Sequence, residues 1–329
     1  MKVAVDASWS GPTGIGRMMS EVLARKPQGI DILNIREGLP NAKPLTPFGL
    51  SHALKKSGAD IFWSPGFVPP VRTHGTPIAI TIHDLTHLHY FNWKHRFYYN
   101  TVIRRLLKNV DIIFTVSDHA RSDILEWAGL PEEKVVRIYN GVDPAFSAEG
   151  ERMGIGRPYI LYIGNRRINK NVDGLMRAFI KSGLAADGYV LGLTGKRDEA
   201  MEALESQYGI SGDVHYFGFV DEADLPALYR GAHMVAFPSL YEGFGLPVIE
   251  GMACGTPVLT STVSSLPEVA GGAALLVDPA DVDDIAQGLQ HLCRDDALRA
   301  RLRTDGLVRA SQFSWDQTAR EYWDVLSRL

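Results

Sequence analysis

The chain has 329 residues, 45% of them hydrophobic and 22% charged, with a formal net charge of −4. Two cysteines exclude a disulfide scaffold or a four-cysteine zinc module. The even spread of apolar residues excludes a disordered chain, and no run approaches the roughly 18 uninterrupted apolar residues that cross a membrane. A single core rarely grows past about 250–300 residues, so two domains are expected. The mildly acidic balance argues against a dedicated nucleic-acid binder.

Residues 2–5 predict a buried strand, followed by the glycine-rich segment 11–16 and a helix through about Arg25. Asp6 interrupts any secretory apolar core in this opening stretch, so an intracellular protein is expected. Further short apolar runs at 61–63, 78–82, 112–116 and 135–138 predict strands, with helical patterns between most of them. Residues 139–158 contain Gly141, Pro144, Gly150, Gly154 and Gly156 and read as a linker. The pattern then repeats at 159–163, 189–193, 234–237, 257–259 and 274–277. Strands that are apolar throughout, separated by helices, predict parallel sheets covered on both faces. The expected fold is therefore α/β, two Rossmann-like doubly wound domains over 1–145 and 155–312. An amphipathic segment from 314 to 329 closes the chain, with Trp315, Ala319, Tyr322 and Leu326 at helical spacing. Charge is uneven: residues 1–150 carry 17 Lys and Arg against 14 Asp and Glu, whereas 151–329 carry 17 against 24.

Ligands of such folds sit beyond the carboxyl ends of the strands, and the chemistry-bearing residues cluster at those ends. Gly14 and Gly16 follow the first strand, where glycine lets backbone approach a ligand and the next helix offers N–H groups to an anion; a tight turn without a ligand fits them equally. The third apolar run ends in His83-Asp84, with His87 and His89 close behind, a group that serves structure, catalysis or a metal. Residues 85–110 contain no acid, five Lys and Arg, and a dense set of aromatics; a helix over 93–108 is expected, part core and part basic surface suited to anionic lipid. Ser117 is placed to cap the next helix, with Arg121 pairing Asp123 or reaching a ligand. In the second half, Gly164-Asn-Arg166-Arg167-Ile-Asn-Lys170 places cations on a strand-to-helix turn, as a pyrophosphate site requires. The segment Ser239-Leu-Tyr-Glu242-Gly-Phe244-Gly245-Leu246-Pro-Val-Ile-Glu250 runs from a strand through a glycine-rich turn into a helix. Its two carboxylates can accept hydrogen bonds from vicinal hydroxyls while the Phe244–Leu246 amides meet phosphate oxygens.

At these residues, and onward through Gly255-Thr-Pro-Val258, Leu266-Pro-Glu268 and Leu276-Val-Asp278-Pro279, the chain resembles the retaining GT-B glycosyltransferases of family 4. The resemblance implies two Rossmann-like domains facing a cleft, with the last helix returning to the N-terminal, acceptor-binding domain. It implies that Glu242 contacts the donor sugar, Glu250 holds the ribose, and Arg166 and Lys170 neutralise the diphosphate, Arg166 preferred over Arg167. It also places His83 near the reacting sugar and the Val220 backbone on the nucleobase. The expected activity is metal-independent, cofactor-free, retaining transfer of a hexose from a nucleotide-sugar to a glycan or lipid-linked hydroxyl. The opening Val5-Asp-Ala with Thr13-Gly-Ile-Gly16 resembles bacterial mannosyltransferases, so GDP-mannose is the first donor choice, with UDP-sugars as the alternative. A cytoplasmic enzyme in peripheral contact with an anionic membrane is expected; a non-catalytic carbohydrate-binding homologue is the competing reading.

Overall fold

Both sets of apolar runs form parallel sheets. The computed structural model describes residues 1–210 and 212–329. It divides into one unit of Met1–Gly141 with Ser314–Leu329 and another of Val142–Phe313. The first unit holds strands β1 (Lys2–Asp6), β2 (Asp31–Ile35), β3 (Ile61–Ser64), β4 (Ile78–Thr81), β5 (Ile112–Thr115) and β6 (Val135–Arg137) in the order β2-β1-β3-β4-β5-β6. The second holds β7 (Tyr159–Tyr162), β8 (Val190–Leu193), β9 (Val214–Tyr216), β10 (Met234–Phe237), β11 (Val258–Ser261) and β12 (Leu275–Val277) in the order β12-β11-β10-β7-β8-β9. Every pairing is parallel. Strand order reverses direction between β1 and β3 in one sheet and between β7 and β10 in the other. Those are the topological switch points where doubly wound sheets open a crevice.

β2 and β9 are absent from the sequence reading. Each is an outer strand, its burial is partial, and its residues (Asp-Ile-Leu-Asn-Ile and Val-His-Tyr) lack a continuous apolar run. Edge position alone does not hide a strand, since β6 and β12 are also outermost and still show in their apolar residues; β2 and β9 interleave polar residues, as a partly solvated strand can. The linker expected at 139–158 is also corrected. The chain passes between the units at Gly141–Val142, and the following residues pack on the second unit. Phe146 is buried edge-on against Tyr229, and Arg230 donates to the carbonyls of Ser147 and Glu151. Glycine and proline there prevent regular structure without preventing packing.

The C-terminal helix Trp315–Leu326 belongs to the first unit. Tyr322 packs on Phe114 and Trp63 with ring centroids 4.4 and 5.5 Å apart, and Trp323 donates through Nε1 to the Val22 carbonyl at 2.9 Å. Each fully buried ring of this size removes ~150–250 Å² from water, worth about 4–6 kcal/mol at ~25 cal/mol/Å². The helix expected over 93–108 forms, with its pitch changing along the way: Trp93–Tyr98, a π turn Tyr99–Ile103, Arg104–Leu106 and a 3₁₀ turn Leu107–Asn109 follow one another without a gap. Tyr99, Ile103 and Leu107 recur every four residues and enter the core, whereas Trp93 and Phe97 are 71% and 63% exposed.

Candidate functional site

In the second unit the turns after β7 and β10, neighbours at the switch point, carry most of the expected residues. Gly164, two residues beyond β7, has φ +143°, a conformation that favours glycine. The chain then passes Arg166 and Arg167 into the short turn Ile168–Lys170 and the helix Val172–Ser182. Two asparagines fasten this turn to the one after β10. Asn169, nearly fully buried, donates Nδ2 to the Tyr241 carbonyl at 3.0 Å, and its own carbonyl accepts the Leu240 N–H at 2.7 Å. Asn171, at φ +57°, donates Nδ2 to the carbonyls of Pro238 and Pro279. Neither asparagine was singled out from sequence; the Asn-Lys-Asn triplet was the available signal.

That fastening brings Lys170 onto Glu242. Lys170 Nζ donates to Oε1 at 2.6 Å and Oε2 at 2.7 Å, and it stands 5.5 Å from the centre of the Phe237 ring. Glu242 is held by its own backbone: its N–H donates to Ser264 Oγ, and its carbonyl accepts from Ser265 Oγ, which also bonds the Phe244 carbonyl. Gly245 precedes the helix Leu246–Ala253 at φ +105°, a backbone conformation that favours glycine, and a Cβ there would also lie 2.7 Å from Leu266 Cδ2. Pro247 sits in the first turn, where a missing N–H costs nothing. The helix start, with its unpaired first N–H groups, follows Glu242 after three intervening residues, and Ser265 Oγ ties the Glu242 and Phe244 carbonyls together in the connecting turn. The Phe244 side chain turns away and meets Phe313 edge-on.

Glu250 lies in the interior of that helix, buried, and Oε2 accepts the Tyr229 hydroxyl at 2.7 Å. The glycine-rich turn runs into a helix as expected, and Glu250 within it is a buried, hydroxyl-bonded carboxylate. Val220 is half-buried in the segment after β9; Gly195 N–H donates to the Gly218 carbonyl at 2.7 Å, which sets this segment beside the turn after β8. The next helix starts at Leu225, with Pro226 in its first turn. Arg166, expected to point at a ligand, sends its amino groups into the protein, to the carbonyls of Thr194 and Lys196 and the carboxylate of Asp198.

The remaining candidates belong to the first unit. Gly14 and Gly16 lie in the first turn of the helix Gly14–Ala24, not in a loop; Thr13 Oγ1 caps it by accepting the Gly16 N–H. A Cβ on Gly16 would stand 2.1 Å from the Gly11 carbonyl oxygen, so that close approach explains the glycine. His83 is half-buried and bonds through Nε2 to the Pro65 carbonyl at 3.0 Å, which places the ring proton on Nε2. Burial lowers its pKa, partly opposed by that carbonyl and by Asp84. Asp84 accepts the Thr86 N–H and His87 stacks on Tyr99 and Phe91, so the group does not converge. Among the described residues no three His, Cys, Asp or Glu side chains form a metal-ligand set. Ser117 caps the helix Asp118–Ala128 as expected, while Arg121 bonds the Val135 and Glu132 carbonyls and not Asp123.

Residues 149–307 match the family described as Glycosyl transferases group 1, and residues 16–146 match Glycosyltransferase Family 4. The O-antigen chain mannosyltransferase B of Escherichia coli is 32% identical over 288 residues, 83% of this chain and 75% of that protein. The MMP alpha-(1->4)-mannosyltransferase of Mycolicibacterium hassiacum is 33% identical over 236 residues, 69% of this chain and 57% of its own length. Among solved structures, Anabaena HepE in complex with UDP and glucose superposes with a TM-score of 0.80 at 17% identity, covering 100% of both chains. WaaG, a glycosyltransferase involved in lipopolysaccharide biosynthesis, gives 0.79 at 15%, covering 99% of this chain and 100% of that one. These two likenesses establish the fold.

Proposed function

Because the chain belongs to the family 4, group 1 glycosyltransferases, we propose that it transfers mannose from GDP-mannose, with retention, to a hydroxyl of a glycan or lipid-linked acceptor in cell-surface polysaccharide synthesis. The observation that carries this reading is the juxtaposition, at the switch point of the second unit, of Lys170, Glu242 and the N-terminus of the Leu246–Ala253 helix. A cation and a helix N-terminus suit a leaving diphosphate, and a buried carboxylate suits sugar hydroxyls. Glu250 takes the ribose hydroxyls and the Val220 backbone the base. His83 of the first unit, neutral near pH 7, serves the reacting sugar and the acceptor. In the transfer itself the bond from C1 to the diphosphate breaks, the acceptor oxygen bonds C1 on the same face, and the acceptor proton passes to a donor phosphate oxygen. Lys170 and the helix amides stabilise the departing charge without a divalent metal.

The mannosyl assignment follows the two mannosyltransferase relatives and the Val5-Asp-Ala opening. The enzyme works in the cytoplasm, and no helix of the described residues is long and apolar enough to cross a membrane. Exposed Trp93 and Phe97 beside Lys94 and Arg96 supply a peripheral contact with anionic lipid. A thermal-shift panel of GDP, UDP and ADP with their sugars tests the donor, since a ligand at a hundred times its Kd adds about 2.7 kcal/mol. GDP and GDP-mannose should shift the transition most. A larger shift with UDP moves the assignment to a UDP-sugar, and no turnover with any sugar nucleotide despite binding moves it to a non-catalytic homologue. Activity should survive EDTA; loss restored by manganese refutes the metal-independent mechanism.

A further inference from the structure

Glu205 is 1% exposed and has no part in the transfer chemistry. It sits on the helix Glu199–Tyr208, and its carboxylate accepts Arg197 Nη2 at 2.8 Å and the Tyr216 hydroxyl at 2.5 Å. Tyr216 closes β9, and the Arg166 guanidinium lies 5.3 Å from the centre of its ring. Arg166 Nη1 donates to the Lys196 carbonyl at 2.6 Å and to Asp198 Oδ2 at 2.9 Å, and Nη2 donates to the Thr194 carbonyl at 3.1 Å. These contacts form one chain from a buried carboxylate on the helix to the turn that carries Lys170. An arginine that forks onto a phosphate needs two parallel N–H groups; three of the five N–H groups of Arg166, both on Nη1 and one on Nη2, are committed to two backbone carbonyls and a carboxylate, and its Nε is buried. A buried carboxylate is expensive unless fully partnered, so Glu205 fixes where Tyr216 and Arg197 stand, and Tyr216 fixes the plane over which Arg166 lies.

We propose that Glu205, Tyr216 and Arg166 are positioning residues, a brace that holds the 164–170 turn against the 194–198 turn and so sets Lys170 for the donor diphosphate without Arg166 touching it. The proposal rests on the reading of this turn as the diphosphate site. Tyr216→Phe removes only the hydroxyl and keeps the ring under Arg166; Arg166→Lys keeps the charge but cannot span three acceptors; Glu205→Gln keeps the size but removes the charge. Calorimetric titration with GDP (or whichever diphosphate the panel selects) and with the bare nucleoside separates a braced turn from general destabilisation. Each variant should weaken the diphosphate at least fivefold with nucleoside affinity unchanged, and KM for the donor should rise more than kcat falls. Wild-type diphosphate affinity in Tyr216→Phe and Arg166→Lys overturns the brace, the latter restoring Arg166 as a direct charge contact. Equal loss of nucleoside and diphosphate overturns it as a merely structural cluster. If the wild-type protein binds no nucleoside diphosphate, the donor reading itself falls and the brace with it, an outcome distinct from wild-type binding with unaffected variants.

Discussion

Replacing Glu242 by Gln perturbs the tightest contact of the candidate site. Lys170 Nζ reaches both carboxylate oxygens, at 2.6 and 2.7 Å, with 17% of the Lys170 side chain and 9% of the Glu242 side chain exposed. Breaking a buried pair by removing one partner costs about 3–5 kcal/mol, and this pair, partly open at the lysine, should lie near about 3 kcal/mol. Considered from sequence, Glu242 faces the sugar alone and its loss should spare the bare nucleotide. The ion pair predicts otherwise. In Glu242→Gln the lysine charge is released toward the diphosphate, so nucleoside diphosphate should bind up to about tenfold tighter, equivalent to about 1.4 kcal/mol, while turnover falls. In Lys170→Ala a lone carboxylate remains where phosphate must sit, and diphosphate affinity should drop about a hundredfold, or about 2.7 kcal/mol. The double variant should recover part of the stability, with a coupling energy of at least about 1.5 kcal/mol in a urea-unfolding cycle. Stability effects that add within about 0.5 kcal/mol, together with unchanged diphosphate affinity in Glu242→Gln by calorimetric titration, would refute the coupled site.

Glu250→Gln should weaken nucleoside and nucleoside diphosphate alike, about tenfold, because a ribose contact is common to both; Tyr229→Phe, which removes the hydroxyl bonded to Glu250, should do so more mildly. If only the sugar-nucleotide is affected, Glu250 does not hold the ribose. Burial lowers the pKa of His83 below its ordinary value, so the unfolded chain takes up a proton first as pH falls. The stability this neutral ring contributes is complete above about pH 6.5 and declines below it; His83→Gln should flatten urea midpoints across that acid window, and an unaltered slope would contradict it. Trp323→Ala should cost about 3–5 kcal/mol through loss of packing on Trp63 and of the bond to Val22, measured as the unfolding midpoint of the first unit. Exchanging Trp93 and Phe97 for Ser should reduce co-sedimentation with anionic vesicles at low salt, and equal sedimentation with neutral vesicles would remove the lipid contact.

Much of the molecule is legible in its sequence. The central strands β1, β3, β4, β5, β7, β8, β10 and β11 show as unbroken apolar runs because both their faces must be buried, and the fold class follows from their alternation with helices. The glycines and Pro247 of the 239–250 segment marked the turn and helix start, since backbone geometry there admits few other residues. Ser117 was recognisable as a cap for the same local reason. What depends on neighbours far along the chain was not legible. Edge strands β2 and β9 are stabilised by pairing and not by composition. The four-residue stripe Tyr99, Ile103 and Leu107 could be told from Trp93 and Phe97 only once the sheet beneath them was in place. Lys170 and Glu242 are 72 residues apart, and their pairing depends on Asn169 and Asn171 tying two switch-point turns together. Arg166 and Arg167 are equivalent as letters in a cationic turn; it is the carbonyls of Thr194 and Lys196, with Tyr216 beneath, that turn Arg166 inward. Local sequence determines backbone conformation and apolar period, because those are properties of near neighbours. Which charge meets which is decided by the strand order, because only tertiary contact lets side chains this distant in the chain compete for the same partner.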